Sequence, residues 1–124
     1  MLNAVGREIP EEILERTGKE VFQGNNYKDG KMVKDIHEAL VKCNAHDGMT
    51  VSFHHHFREG DLVVCMVMEE IHKMGFKNIT LSASSLGKAH DALVPMIEDG
   101  TIVNIESSGV RGKIGDAISH GKLK

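Results

Sequence analysis

The sequence predicts an α/β fold, a parallel β-sheet with helices on its faces. Three observations predict it. Glycines 48, 75 and 100 close successive helical patterns and stand 27 and 25 residues apart. Each is followed by a short run rich in β-branched or apolar residues. Strands that alternate with helices at this spacing form β-α-β units, and right-handed crossovers carry the helices onto the sheet.

The elements follow in order. Residues 1–31 are polar, with "GNNYKDG" near their end, and read as an N-terminal arm holding at most one short helix at 10–16. Residues 32–124 are the α/β domain. Val33, Ile36, Ala39, Leu40 and Cys43 recur at spacings of three and four, an amphipathic helix that Asp47-Gly48 ends. "MTVSF" is the first strand, at 50–53. "DLVVCMVMEEIHKM" is apolar nearly all round, which predicts a buried helix with Met66, Met68 and Met74 in the core. Asp61 is placed to cap its start and Gly75 to end it in a left-handed conformation. "NITLSA" supplies the second strand, at 79–83. Residues 87–99 are helical in pattern but hold Pro95, which should break or kink them. "TIVNI" is the third strand, at 101–105, and "GKIGDAISHG" a last short helix. The chain stops at "HGKLK", where another strand is due. The sheet is therefore expected to be incomplete and the sequence to be the first part of a larger protein.

Composition narrows the function. The chain has 124 residues, 40% hydrophobic and 27% charged, enough for one domain with one core. A formal net charge of -3 gives no reason to expect nucleic acid or an anionic membrane as partner. Aromatic residues are 4% with no Trp, so base stacking is not indicated. Cys43 and Cys65 sit in apolar helical patterns without a CxxC, as expected of reduced, buried thiols in a cytoplasmic protein. The N-terminus lacks the pattern of a signal peptide, and no run of about 18 apolar residues is present to span a membrane.

In a parallel sheet every loop that follows a strand emerges at the carboxyl edge, where open α/β sheets bind ligands. Three loops meet there: His54 to Gly60, Ser84 to Gly87 and Glu106 to Gly112. Each leads toward a helix N-terminus, whose free N–H groups favour an anion or a developing oxyanion. In "TVSFHHHFREGD", neighbours along a strand point to opposite faces, so at most His54 and His56 could converge on a metal; His90 or Asp61 would have to complete the set. A loop of neutral imidazoles that pack and hydrogen bond is the simpler reading. Serines 84, 85, 107 and 108 lie near histidines, but no G-x-S-x-G elbow is present. "SSGVRGKIG" lacks the spacing of a phosphate-binding loop. Of the four arginines, Arg58 and Arg111 fall in carboxyl-edge loops, whereas Arg7 and Arg16 lie in the arm. A planar guanidinium holds carboxylate or phosphate by two parallel hydrogen bonds, which points to a polycarboxylate or phosphorylated ligand.

The segment "DGMTVSFHHHFREGDLVVCMVMEEIHKMGFKNITLSASSL", at 47–86, closely resembles the citrate lyase alpha chain family of the CoA-transferase superfamily. "GREIPE", "FQG" and "SSGVRG" resemble it too, so the likeness runs nearly end to end while covering only the first part of the family's chain. It implies a three-layer α/β/α, CoA-transferase-like domain. It implies an acyl-carrier-protein transferase that exchanges acetate for citrate on a carrier thioester. A beta chain then cleaves the citryl thioester to oxaloacetate and acetyl-carrier protein, and the gamma chain is the carrier, bearing a covalent dephospho-CoA-type group. In the superfamily the loop after this first strand is glycine-rich and lies against the acyl-transfer site; here His54, His55 and His56 replace those glycines. With the loop geometry, the resemblance implies His54, His55 and His56 as catalytic candidates beside a thioester or anhydride carbonyl. Phe57, Arg58, Gly60, Ser84, Ser85, Ser108, Gly109, Arg111 and Gly112 are the implied substrate- and cofactor-binding candidates. The segment alone is expected to be inactive. The alternative is a non-catalytic module that docks an acyl-carrier protein or a CoA-like cofactor.

Because three consecutive histidines cannot all reach one ion, no stoichiometric zinc is expected. Elemental analysis of chelator-free protein checks this. One zinc per chain, lost on changing His54 or His56 to Ala, would overturn it.

Overall fold

In the computed structural model of the protein, the structure describes residue 8, residues 32–54 and residues 62–123. Contacts divide the chain between Val33 and Lys34, and the fold below is that of the second unit. Its elements are α1 (Ile36–Lys42), β1 (Thr50–Phe53), α2 (Val63–Lys73), β2 (Ile79–Ala83), a 3-10 helix (Lys88–Leu93), α3 (Val94–Glu98), β3 (Ile102–Ser107) and α4 (Gly112–Ser119). Asp61, expected to cap α2, lies outside the described residues.

The three strands form one parallel sheet in the order β1-β2-β3, as the glycine spacing predicts. Register places Val51 beside Leu81 and Ile105, and Phe53 beside Ala83 and Ser107. These residues share one face of the sheet. The alternating positions make two polar rows on the other: Thr50, Thr80, Asn104, and Ser52, Ser82, Glu106. A register shift after Ile79 leaves Val103 as the extra residue of β3.

Apolar burial follows that asymmetry. Val64, Met68 and Ile71 of α2, Leu93, and Ile114 of α4 are fully buried in one cluster with Ile79 and Leu81. Two right-handed crossovers stepping in one direction across the sheet bring their helices to the same face, which is the apolar one. Truncating a fully buried Leu81 to Ala would cost about 2–5 kcal/mol.

Local chemistry explains the element ends. At α1, Asp35 Oδ1 accepts the Glu38 N–H at 2.8 Å, and the Glu38 carboxylate accepts the Lys34 N–H at 2.8 Å. The α1 helix buries no residue; only the partly buried Leu40 packs against the core, and His37 Nδ1 lies 2.9 Å from Glu70 of α2. Gly48, Gly75 and Gly100 all have left-handed φ, at 74°, 83° and 80°. After α2 the Phe76 N–H returns to the Ile71 carbonyl and the Gly75 N–H to that of His72, which satisfies carbonyls the helix leaves open.

The 87–99 segment does break beside Pro95, as expected: a 3-10 helix ends at Leu93, and Pro95 sits in the first turn of α3, where a missing N–H needs no partner. Two sequence expectations change. The α2 helix is buried on one side only, since Leu62, Val63 and Met66 are 61%, 55% and 51% exposed. Met68 is core, whereas Met66 is not. Cys43 is exposed at the end of α1, while Cys65 is buried; both are free thiols.

The amino edge of the sheet is closed by a charged cluster. Asp99 accepts the Thr101 N–H at 2.8 Å and lies 3.1 Å from Lys77 Nζ and 3.4 Å from His72 Nδ1. Lys77 also donates to the buried Thr101 hydroxyl at 2.9 Å, and its N–H donates to Asp47 at 2.8 Å. Partial burial opposes the Asp99 charge, but the Thr101 hydroxyl and N–H, then the Lys77 ammonium, outweigh it and bring the carboxyl down to about 2.

A depressed carboxyl stabilises the fold fully above its unfolded value of about 3.9, and that contribution fades as pH falls toward about 2. Asp99→Asn is therefore expected to melt lower at neutral pH and to lose less further stability than the parent on acidification from about pH 4 to about pH 2. Thermal melts across that range measure it. Parallel curves for the two proteins would remove Asp99 from the acid response.

Candidate carboxyl-edge site

Parallel register fixes what stands at the carboxyl edge. The last paired residues are Phe53, Ala83 and Ser107. The residues that follow, His54, Ser84 and Ser108, therefore leave three neighbouring strands side by side, about 4.8 Å apart from strand to strand. All three are exposed.

The second and third loops are sewn together beyond the strand ends. Leu86 and Val110 form an isolated parallel bridge: the Leu86 N–H donates to Gly109 and the Arg111 N–H to Leu86, each at 2.9 Å. The Ser108 hydroxyl donates to the Ser84 carbonyl. Ser107 Oγ donates to the Gly109 carbonyl at 3.0 Å, which tightens the turn after β3. Asp91 Oδ1 accepts the Lys113 N–H at 2.8 Å across 22 residues of sequence. Gly87 donates its N–H to His90 Nδ1 at 3.0 Å. Cys65 Sγ reaches the Ala89 carbonyl at 3.4 Å, which ties the 3-10 helix to α2.

Gly112 is the tightest point of this stitching. Its φ is +71°, and a Cβ there would meet Asp91 Oδ1 at 2.7 Å and the Lys88 Cα at 3.3 Å. Only glycine combines that backbone with that contact.

Of the predicted site residues, His54, Ser84, Ser85, Ser108, Gly109, Arg111 and Gly112 fall together at this edge. His55, His56, Phe57, Arg58 and Gly60 lie outside the described residues. Arg111 caps α4 through its backbone, while its side chain is exposed and enters none of the ion pairs among the described residues.

The expectation of open helix N-termini changes in two loops. At α4 the Asp91 carboxylate holds the Lys113 N–H, and before the 3-10 helix His90 holds the Gly87 N–H. A carboxylate at a helix start is favourable in itself, so Asp91 occupies the place a ligand anion would take. Sequence reasoning missed His90 and Asp91 as organisers of the edge. The Asp91 contact joins loops far apart in the chain, and no periodicity reports it; the His90 contact is local but lies outside any helical or strand repeat. The only local sign is the spacing of Gly87 and His90, three apart at the start of a helical turn.

Among the described residues no three His, Cys, Asp or Glu side chains are placed to hold a metal. Nor is any described helix long and apolar enough to cross a membrane.

Comparison with known proteins places this edge in context. Residues 29–124 match the family described as citrate lyase, alpha subunit (CitF). The citrate lyase alpha chain of Escherichia coli K12 is 46% identical over 110 residues, which cover 89% of this chain and 22% of that one. That of Haemophilus influenzae is 50% identical over 96 residues, 77% of this chain and 19% of that one. A solved structure described as the alpha subunit of citrate lyase from Streptococcus mutans, in complex with citrate, superimposes with a TM-score of 0.75. It is 48% identical and covers 82% of this chain and 20% of that one. The chain thus spans about a fifth of the length of these relatives.

Gly112→Ala should destabilise the fold by at least about 1–2 kcal/mol from the left-handed φ alone, and further from the Asp91 contact. A thermal melt measures the loss. A melting temperature equal to the parent's would mean that the loops are free to part.

Proposed function

This chain belongs to the citrate lyase alpha-subunit family, and on that premise we propose that it forms part of an enzyme transferring an acyl-carrier-protein thioester from acetate to citrate. Acetyl thioester and citrate give citryl thioester and free acetate: the acetyl carbon–sulfur bond and one citrate carboxyl carbon–oxygen bond break, a citryl carbon–sulfur bond forms, and the oxygen released from citrate leaves on the acetyl group as acetate. The observation that supports citrate as the substrate is the 48% identity to a relative solved with citrate bound.

The partners on this reading are the carrier (gamma) chain and the beta chain that cleaves the citryl group. The carrier's dephospho-CoA-type group supplies the thiol that bears the acyl group. The residues here suit anionic ligands of both kinds. Arg111 offers an exposed guanidinium that enters none of the ion pairs among the described residues, on the loop that follows Ser108. A guanidinium takes a carboxylate or a phosphate by two parallel hydrogen bonds. Acyl exchange also develops negative charge on a carbonyl oxygen, and donors already in place lower the barrier. His54, leaving β1 next to Ser84, carries an imidazole N–H of the kind such a donor needs. Arg58 is assigned a carboxylate-binding role with Arg111 on its place in the sequence.

Non-catalytic docking of a carrier protein is the competing reading, and steady-state kinetics on the complete alpha chain carrying this segment separate the two. A guanidinium that binds ground and transition states alike should, when lost, raise KM with little change in kcat. Loss of one charged hydrogen bond is worth roughly 1.5–3 kcal/mol, so Arg111→Ala should lower kcat/KM for citrate or carrier about ten- to a hundredfold. Arg111→Lys should recover part of it, since it keeps the charge and loses the fork. Parent KM values for both substrates in Arg111→Ala would sink the binding role. A complete chain that binds carrier but never releases acetate would favour the docking module.

A further inference from the structure

His90 and Thr101 are the buried polar side chains among the described residues; His90 is 2% exposed. Its surroundings fix its chemistry. Nδ1 lies 3.0 Å from the Gly87 nitrogen and receives that N–H. A nitrogen that accepts a hydrogen bond has no proton, so the ring is neutral with its proton on Nε2, itself out of solvent. The backbone closes the same turn from the other side, since the His90 N–H donates to the Gly87 carbonyl at 2.9 Å. Both polar groups of Gly87 are thus held by one residue.

That turn is joined to everything at the carboxyl edge. Gly87 follows Leu86, whose N–H and carbonyl are taken by Gly109 and Arg111. Upstream of Leu86 stand the exposed Ser84 and Ser85; across the bridge stands Arg111. The next residue, Asp91, holds the start of α4 through Lys113. Moving Gly87 therefore moves Leu86, and with it the serines on one side and Arg111 on the other. Misplacing a binding group by about 1 Å can cost on the order of a hundredfold in rate.

We propose that His90 is a positioning residue of the acyl-transfer site: its neutral imidazole, through Gly87, sets where Ser84, Ser85 and Arg111 meet the substrate. The proposal rests on the transferase reading of this edge. His90 itself sits beneath the loop and touches no reacting atom.

Three variants of the complete alpha chain test it. In His90→Asn the side-chain oxygen can stand where Nδ1 stands and accept the Gly87 N–H. In His90→Gln the oxygen falls near Nε2 instead, and His90→Phe keeps the ring without an acceptor. Kinetics are normalised to folded protein and read beside amide hydrogen exchange at Gly87 and Arg111. Phe and Gln are expected to lower kcat/KM about tenfold or more and to speed both exchanges, while Asn recovers most of each. A purely structural role would lower the melting temperature and leave kcat and KM of the folded fraction at parent values, which would overturn the proposal. Asn as deficient as Phe would overturn it too. Should the parent chain show no transfer, the transferase reading fails by itself. Exchange then decides the His90 contact: unchanged protection in His90→Phe would refute it as well.

Discussion

Strand β2 is hydrogen-bonded along both edges, and the rest of the unit depends on that constraint. Because β1 and β3 run parallel to it in fixed register, their ends are level. That brings His54, Ser84 and Ser108 out side by side although 54 residues of chain separate the first from the last. A one-residue slip would turn every side chain of the slipped strand to the wrong face. The fully buried Ile79 and Leu81 oppose such a slip, since it would exchange them for threonine and serine. The apolar face thus holds the register, and the register composes the site.

The two ends of the sheet are finished differently. At the amino edge, side-chain charges close the gap: Lys77, His72 and Asp99 gather round Thr101. At the carboxyl edge, backbone closes it: Leu86 and Val110 prolong the pairing past the strands, and Asp91 and His90 hold the turns from below. A backbone tie can hold a residue in place without engaging its side chain. Arg111 illustrates this, with its N–H committed to Leu86 and its guanidinium exposed.

Much of this was legible from residue order. The glycine spacing predicted three parallel strands, and the strands lie where β-branched residues cluster. The loops that lead out of them were identified as the candidate site for topological reasons alone. What was not legible came from contacts that no periodicity encodes. Pro95 marks a break in the helical pattern, but not that a 3-10 helix precedes it, ending at Leu93, or that the proline lies in the first turn of the next helix. Met66 and Met68 are alike in sequence, and only the facing of α2 separates exposed from buried. His90 and Asp91 look like an ordinary polar pair inside a helix. Their roles depend on Gly87 and Lys113, the second of which lies a strand away.

The polar rows on the second face of the sheet carry a requirement of their own. Thr50, Ser52, Thr80, Ser82, Asn104 and Glu106 present hydroxyl, amide and carboxylate groups at the spacing of the pleat. A greasy helix laid across them would strip water from every one and return no hydrogen bond, at roughly 1–3 kcal/mol for each group stranded. Whatever surface meets that face must therefore be written in the same alphabet, with donors and acceptors matched row by row or with a layer of water kept between. In most parallel sheets shape and oiliness alone can secure a covering layer; here recognition has to be read group by group, which makes the back of this sheet a more selective surface than its front.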